Sequence, residues 1–176
     1  MSDYSDEIVL FKMKLMKTSK HINIKLEPLT YKDKNSVFDL FTNEKVLQSY
    51  SKKPIPTREH SDDFIQKVST NGHWTWKITR FEEINGFLGI CSYHHYNQEN
   101  KSIEIGGTLF PKFWGKGIML CAFRQLIEQA REVFNIKQVI GKTQSSNKNA
   151  IWMVEKLGFN KTITINNETT LVKYLD

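Results

Sequence analysis

The sequence predicts a mixed α/β domain with a strand–helix–strand unit at its centre, and three observations support this. Short stretches alternate apolar and polar residues, as at Ile22, Ile24 and Leu26, which is typical of half-buried strands. Residues 115–134 instead place apolar side chains at helical spacing. Finally, strand-like and helical segments follow one another from residue 21 onwards without an internal repeat, as expected for layered helices and sheet.

Each remaining element has its own local signal. Helices are predicted after the capping residue Thr30, at 57–68 after two prolines, and at 147–157 before Gly158 in the C-cap position. Period-two alternation predicts the strands, and the pair Asn166-Asn167 predicts the turn of a final hairpin. The strands preceding that hairpin are expected at 22–28, 73–79, 86–93, 102–110 and 138–143.

Length and composition favour one soluble domain. The chain has 176 residues, of which 39% are hydrophobic and 25% charged. No apolar run approaches the roughly 20 residues of a membrane span, and the acidic start does not resemble a secretory signal. We therefore expect a cytoplasmic protein, with an N-terminal arm over residues 1–20 and a single domain over residues 21–176.

The formal net charge of +6 is compatible with a nucleic acid, a membrane surface or a small polyanionic ligand as partner. Residues 12–25 contain five Lys and no acidic residue, and we interpret them as a solvated arm. No basic motif with interleaved aromatic residues supports nucleic-acid recognition. Cys91 and Cys121 both lie in apolar patterns and are expected to be buried thiols, so neither a disulfide framework nor a metal site is predicted.

The most informative stretch, 111–119, joins a predicted strand to the long helix. The first turn of a helix presents unpaired N–H groups and the positive end of the helix dipole, which suits a pyrophosphate. Gly115 and Gly117 let the backbone approach an anion without a Cβ, and Lys112 and Lys116 add positive charge. Two glycines at this spacing also occur in ordinary loops before helices, so the pattern alone leaves both interpretations open.

Residues 103–117 read I-E-I-G-G-T-L-F-P-K-F-W-G-K-G, and residues 147–159 begin N-K-N-A and end E-K-L-G-F. The first block resembles motif A of the GNAT superfamily of acyl-CoA N-acyltransferases, which usually reads Q/R-x-x-G-x-G/A; Lys112 stands at its first position. The second resembles the N-x-x-S-x-x-x-x-E-K-L-G-F motif of the ribosomal-protein N-terminal (alanine) acetyltransferases and their small-molecule relatives. L-E-P-L-T at residues 26–30 is similar to the opening L-R-P-L-T of that branch.

The resemblance implies a mixed, mostly antiparallel sheet of about seven strands flanked by four helices. It also implies that the strands ending near Phe110 and starting near Gln138 splay apart and hold the pantetheine arm of acetyl-CoA. Asn147 would reach the pantetheine or thiol end, and it is also placed to cap a helix. The cofactor-binding residues implied are Leu109, Phe110, Lys112, Phe113, Trp114, Gly115, Lys116, Gly117, Ile118 and Asn147.

Two positions depart from the family pattern. Many members carry a tyrosine four residues before the G-F pair, as the acid that protonates the leaving thiolate, and this chain has Val154 there. The serine of the branch motif is replaced by Ala150. The motif therefore does not identify the acid, and Asn149, a water or a tyrosine elsewhere are the open alternatives.

Acylation of an amine needs a base or a water path and stabilisation of the tetrahedral oxyanion. Glu104 is the first candidate for the base, because it lies on the strand that borders the predicted splay and partial burial can raise the pKa of a carboxyl group. An exposed or salt-bridged glutamate is the competing interpretation. By resemblance, a backbone N–H near residues 107–109 would stabilise the oxyanion.

Two aromatic groups remain open to more than one interpretation. His94 and His95 are adjacent and point to opposite sides if they lie on a strand, so we place them in a polar loop over residues 94–101 rather than at a metal. Trp74 and Trp76 share one strand face, where they line an acceptor pocket or belong to the core or a partner surface.

The sequence is compatible with three functional classes. The leading one is an acetyl-CoA-dependent N-acetyltransferase that acts on a primary amine, by direct attack in a ternary complex, as a monomer or homodimer. The second is a CoA-binding domain that has lost its chemistry, and the third is a ribosome- or nucleic-acid-binding module. The acceptor, whether the N-terminus of a ribosomal protein or a small amine, does not follow from the sequence, because this fold serves many acceptors.

Overall fold

The computed structural model describes residues 23–49, 54–68, 73–80 and 86–175, and a seven-stranded sheet runs through them. Neighbouring strands are antiparallel except β4 and β5, which are parallel. The strands are β1 (Ile24–Pro28), β2 (Trp74–Arg80), β3 (Gly89–Asn97), β4 (Ser102–Leu109), β5 (Gln138–Gln144), β6 (Asn160–Ile165) and β7 (Glu168–Tyr174). Their order across the sheet is β1-β2-β3-β4-β5-β7-β6, which confirms the predicted mixed, mostly antiparallel sheet.

Five α-helices are described, one more than the sequence predicted. The additional helix is a short one in which Val46 is the buried residue, so its apolar pattern is too weak to recognise in the sequence. The helices are α1 (Lys34–Phe41), α2 (Glu44–Ser49), α3 (His60–Val68), α4 (Ile118–Phe134) and α5 (Lys148–Glu155).

Local turn chemistry explains where several elements begin and end. The Asp33 carboxylate accepts hydrogen bonds from the backbone N–H and the hydroxyl of Thr30, at 2.9 and 3.0 Å, before α1. Gly158 follows α5 with a φ of 85°, in the left-handed region that favours glycine. Asn166 and Asn167 have φ angles of 48° and 64°, which confirms the predicted hairpin turn between β6 and β7.

The helices cover the two faces of the sheet with separate apolar clusters. On one face, α4 and α5 pack over the larger cluster, in which Trp76, Leu126 and Ile103 are at most 1% exposed. On the other face, α1, α2 and α3 pack over a smaller cluster that includes Ile90 of β3. We call the first the α4 face and the second the α1 face. Directly opposite residues of paired strands share a face, so the register assigns every strand side chain to one of the two.

Three expectations from the sequence, for the loop over residues 94–101, the two tryptophans and the two cysteines, can be compared with the structure. The predicted loop over residues 94–101 is wrong in its first half, because β3 continues to Asn97 and carries both His94 and His95. Trp76 is buried in the larger cluster and Trp74 packs against it, so these indoles belong to the core. The thiols of Cys91 and Cys121 are buried, as predicted.

Other expectations fall outside the described residues. The arm over residues 1–20 and most of the lysine-rich run over residues 12–25 lie there. Among the helices of the described part of the chain, none has the length and apolar character required to span a membrane.

Candidate active site

The sheet opens between its two parallel strands. Pairing of β4 with β5 begins at Ser102 and Gln138 and ends at Ile105 and Gly141, although both strands continue. The remainder of β4 still pairs with β3, and the remainder of β5 still pairs with β7. The two strand edges that face each other across this splay therefore have no β4–β5 ladder, which confirms the splayed strands expected from the sequence.

A turn rich in glycine follows β4 directly. Pro111–Phe113 forms a 3₁₀ turn, and Gly115 and Gly117 then take φ angles of 72° and 73°. These values lie in the left-handed region, where a residue with a Cβ is strained. Gly117 is the N-cap of α4 and has no side-chain capping group. The turn is thus built from backbone rather than from side chains.

The turn exposes hydrogen-bond donors at the start of a 17-residue helix. The backbone N–H of Cys121 donates to the carbonyl of Gly117 at 3.0 Å, so the N–H groups of residues 118–120 precede the first intrahelical donor. Ile118, the first residue of α4, is itself buried in the core and fixes the helix end in place. A negatively charged group fits here, because the N–H groups and the helix dipole both favour it.

Three cations surround the aromatic ring of Phe113 in this turn. The Nζ atoms of Lys112 and Lys116 lie 5.0 and 5.9 Å from the ring centroid, and the Arg80 guanidinium carbon lies at 5.8 Å. Lys112 and Lys116 were identified from the sequence, whereas Arg80 was not, because it arrives from β2. These side chains give the turn a positive field.

Phe110 lies directly after β4 and Asn147 lies shortly after β5, on either side of the splay. Asn147 is the N-cap of α5, and its side-chain oxygen accepts a hydrogen bond of 3.1 Å from the backbone N–H of Ala150. The structure thus confirms the capping role of Asn147. Phe110 continues the β4 chain, and its backbone N–H donates to the carbonyl of Leu88 at 3.0 Å.

The position where the family usually carries a tyrosine has a structural role in this chain. Val154 is 7% exposed and belongs to the larger apolar cluster beneath α5. Its side chain packs in the core and offers no proton.

Glu104 lies on the α1 face of β4, one residue before the last β4–β5 pair. Its Oε2 atom is 2.9 Å from Lys142 Nζ, and the Glu104 and Lys142 side chains are 17% and 39% exposed. The hydrogen bond that Lys142 donates to the Glu104 carboxylate raises the pKa of Lys142 above its ordinary value, against a smaller opposing effect of burial. The structure therefore shows the salt-bridged glutamate that was one of the two interpretations, and a role as base stays a prediction.

A row of polar side chains crosses β2 and β3 beside Glu104 on the same face. Thr75 lies opposite Ser92, and Ser92 lies opposite Gly106. The Nε2 atom of His94 is 2.7 Å from Ser92 Oγ, and its Nδ1 atom is 3.2 Å from His73 Nδ1. We call Thr75, Ser92, His94 and His73 the polar row.

The sequence alone does not identify the polar row, although the alternation of polar and apolar residues in its two strands is visible there. Polar residues alternate with apolar ones at His73, Thr75 and Lys77, and again at Ser92 and His94. Only the register between the two strands, however, brings the alternating residues together.

Tyr93 is excluded as a proton donor at the splay. Its hydroxyl donates to the backbone carbonyl of Leu126 on the α4 face, and Gln129 Oε1 lies 3.3 Å away. Burial raises the pKa of this phenol well above its ordinary value. Within the described ranges, no group of three or more His, Cys, Asp or Glu side chains is arranged to hold a metal ion.

The splay between two parallel strands and the backbone-built turn at a helix start agree with the arrangement expected of the GNAT superfamily. Residues 23–160 match the family described as acetyltransferase (GNAT) domain, and the chain belongs to this family. The superfamily expected from the sequence is thereby confirmed.

The sequence identity to individual relatives is low, or it is confined to part of the chain. The chain is 24% identical to the uncharacterized N-acetyltransferase p20 of Bacillus licheniformis over 149 residues, which cover 83% of this chain and 84% of that protein. It is 34% identical to the putative ribosomal N-acetyltransferase YdaF of Bacillus subtilis over 71 residues, covering 40% of this chain and 39% of that one. The second match leaves more than half of each chain uncovered.

Solved structures share the fold. A spermidine N-acetyltransferase from Vibrio cholerae, in complex with CoA and spermine, superposes with a TM-score of 0.75. It is 15% identical, and the match covers 86% of this chain and 95% of that chain. At this identity the likeness concerns the fold alone.

Proposed function

We propose that the chain transfers the acetyl group of acetyl-CoA to a primary amine, by direct attack of the amine in a ternary complex. The observation that carries the proposal is the splay, whose unpaired strand edges end at the backbone-built turn before α4. The free edges of β4 and β5 would give backbone hydrogen bonds to the amide groups of the pantetheine arm. The turn that follows β4 would then give an anion site to the pyrophosphate.

Each proposed cofactor residue has a distinct task. The pyrophosphate would lie on the backbone of Lys112–Gly117 and on the N–H groups that begin α4 at Ile118. The pantetheine arm would run along Leu109 and Phe110 towards Asn147. Phe113 and Trp114 shape the turn, and the lysines supply long-range attraction rather than most of the binding energy, because both side chains are exposed.

The reacting end would lie where the β4–β5 ladder stops. A backbone N–H between Gly107 and Leu109 would stabilise the oxyanion, because donors aimed at developing charge lower the barrier most. An ideal Cβ on Gly107 would be 2.8 Å from the Ile90 carbonyl oxygen and 2.9 Å from Met119 Cε. Glycine therefore allows β4 to lie close to α4 at the position where the oxyanion would be held.

The acceptor is proposed as a class, a primary amine on a small molecule or a protein N-terminus. The spermine complex and the partial likeness to a putative ribosomal acetyltransferase support both members of that class.

A second candidate, a CoA-binding domain without turnover, has its own supporting observation. Val154 is buried in the core where many family members carry the acid, so the leaving thiolate lacks that proton donor. Binding of acetyl-CoA without release of free CoA would favour this candidate.

Calorimetric titration with acetyl-CoA and a screen of amines test both candidates. The screen would contain single amino acids, short peptides with free N-termini and spermidine, and it would quantify CoA by chromatography. We expect binding in the micromolar range and CoA release with at least one amine. Absence of acetyl-CoA binding would contradict both candidates.

We also propose residues 21–176 as the functional domain, since the family match begins at residue 23 and β1 begins at Ile24. Deletion of residues 1–20 should leave the circular dichroism spectrum and acetyl-CoA affinity unchanged. Salt-sensitive RNA binding that disappears on this deletion would favour the nucleic-acid class instead.

A further inference from the structure

We propose that His94 accepts the proton of the acceptor amine, with Ser92 as the relay and His73 as the residue that fixes the imidazole. This inference rests on the proposed function and assigns a residue to the step that makes the amine nucleophilic. It selects His94 of the polar row in place of Glu104.

Both ring nitrogens of His94 have partners. Nε2 is 2.7 Å from Ser92 Oγ, and Nδ1 is 3.2 Å from His73 Nδ1. Ser92 is 4% exposed, so its hydroxyl interacts with the ring largely away from solvent. The two contacts hold the imidazole plane in one orientation, as a base requires.

The contact between the two histidines admits two tautomers of His94, and the proposal requires one of them. One Nδ1 must donate and the other must accept, because two N–H groups facing each other would repel. When His94 Nδ1 donates to His73, His94 Nε2 carries a lone pair and accepts the hydroxyl hydrogen of Ser92. This is the tautomer in which Nε2 can take a proton, and the resulting imidazolium keeps its hydrogen bond to His73.

The imidazole lies at the edge of the splay. An ideal Cβ on Gly106 would be 3.1 Å from His94 Nε2 and 3.9 Å from Ser92 Oγ, so glycine lets both groups lie against β4. Gly106 is the residue that immediately follows the last β4–β5 pair, at Ile105. An amine that enters the splay from the α1 face would meet Ser92 and His94 there.

A buried hydroxyl lies nearby. Thr75 Oγ1 is inaccessible to solvent and has no hydrogen-bond partner among the described residues, and Thr75 lies opposite Ser92 on the same face. An unsatisfied buried hydroxyl is costly, typically by about 1–3 kcal/mol.

Several titratable groups face the His94 ring. His73 lies directly before β2, the ring centroid of His95 is 6.4 Å away, and Glu104 lies opposite His94 on β4. Glu104 is held by Lys142 at 2.9 Å, and a proton on its carboxylate would weaken that ion pair. Its negative charge, when retained, instead attracts the ammonium form of the acceptor.

In the proposed step the amine nitrogen loses two protons and gains a bond to carbon, while the thioester C–S bond breaks. The ammonium R–NH₃⁺ donates one proton to Ser92 Oγ as the Ser92 hydrogen passes to His94 Nε2. The lone pair of R–NH₂ then forms the N–C bond to the thioester carbonyl, and the C–S electron pair leaves on sulfur. A second nitrogen proton moves to the thiolate. The products are the amide, CoA thiol and an imidazolium that returns its proton to solvent.

The test compares His94→Gln, Ser92→Ala and Glu104→Gln with the amine that supports the fastest CoA release. His94→Gln should lower turnover about 10²–10⁴-fold, the usual range for a general base, and abolish the acidic limb of the rate–pH profile. Acetyl-CoA affinity should stay unchanged. Ser92→Ala should lower turnover and Ser92→Thr should restore it, whereas Glu104→Gln should mainly raise the KM for the amine.

His60→Gln is the matched control, since His60 lies exposed on α3 and hydrogen-bonds to Thr57. It should retain wild-type turnover. His94→Gln turnover within about threefold of wild type, with the acidic limb lost in Glu104→Gln, would overturn the proposal and assign the base to Glu104.

A second measurement does not depend on turnover. Nitrogen-15 chemical shifts of the imidazole should report Nδ1–H and unprotonated Nε2 for neutral His94, in wild type and in Glu104→Gln. The opposite tautomer would overturn the proposal even in an active enzyme. Absence of CoA release by the wild type with every amine would instead contradict the proposed function itself, and the inference with it.

Discussion

The indole Nε1 of Trp114 donates a hydrogen bond of 2.8 Å to the backbone carbonyl of Leu109. This bond ties the glycine turn to the last residue of β4, so a side-chain contact joins the proposed anion site to the free edge of β4. The ring is 42% exposed, and its hydrogen bond rather than its burial explains its position. Motion of the turn would therefore also move the strand edge.

Gly117→Val should abolish or strongly weaken acetyl-CoA binding. The φ of 73° at this position strains a β-branched residue, and the added side chain would block the backbone's approach to an anion. Calorimetry measures the affinity, and Lys116→Ala is the control with an expected smaller loss. An unchanged affinity in Gly117→Val would place the pyrophosphate elsewhere.

Substitution of Asn147 should separate its capping role from its proposed cofactor contact. Asn147→Ala removes the cap on α5 and should lower the free energy of unfolding by about 0.5–2 kcal/mol. Asn147→Ser keeps a capping oxygen and should retain stability, but it shortens the side chain and should weaken acetyl-CoA binding. Thermal unfolding and calorimetry measure the two effects, and equal affinity in both variants and wild type would limit Asn147 to capping.

The pKa of Lys142 should fall towards its ordinary value of 10.5 in Glu104→Gln, because the Glu104 hydrogen bond is the largest cause of the rise. Glu168→Gln should lower it less, since that carboxylate acts only at longer range. NMR titration of the lysine side chain measures both.

The same shift has a consequence for stability. A lysine whose folded-state pKa is raised stabilises the native state fully below its unfolded pKa of about 10.4, and this contribution disappears as the pH rises through the folded value. An unshifted Lys142 in the wild type would mean that the ion pair does not persist in solution.

Tyr93→Phe should destabilise the protein while leaving turnover within about threefold. Loss of the hydroxyl's hydrogen bond to Leu126 should cost about 0.5–1.5 kcal/mol. Tyr174→Phe is the control, because this phenol is 71% exposed and its removal should not change the melting temperature. A large loss of turnover in Tyr93→Phe would make Tyr93 the missing acid and contradict its assignment to the core.

Features set by neighbouring residues could be read from the sequence. The Asn166-Asn167 turn and the cap at Asn147 depend on side-chain or backbone chemistry within a few residues. The glycine turn before α4 was predicted for the same reason, with its two glycines. The predicted end of α5 at residue 157 was two residues too late, because the helix ends at Glu155 with Lys156 as its C-cap, and Gly158 lies in the turn that follows.

Features that depend on strand register could not be read from the sequence. The Glu104–Lys142 ion pair requires the parallel alignment of β4 with β5, and the contact of His73 with His94 requires the antiparallel alignment of β2 with β3. The extension of β3 to Asn97 was missed because polar residues carry no apolar alternation, and only pairing with Ser102 of β4 shows it.

The splay divides the sheet into two ladders, β1–β4 and β5–β7, whose strand pairing within the described residues is limited to the four pairs from Ser102–Gln138 to Ile105–Gly141. The larger apolar cluster, which includes Trp76 of β2 and Leu171 of β7, still joins the two ladders, so we expect faster amide hydrogen exchange at the strand edges that border the splay than inside either ladder. A bound molecule whose amides hydrogen-bond to both β4 and β5 across the splay would connect the two ladders. At one hundred times its Kd it would add about 2.7 kcal/mol to the native state, and the exchange of both ladders would slow together.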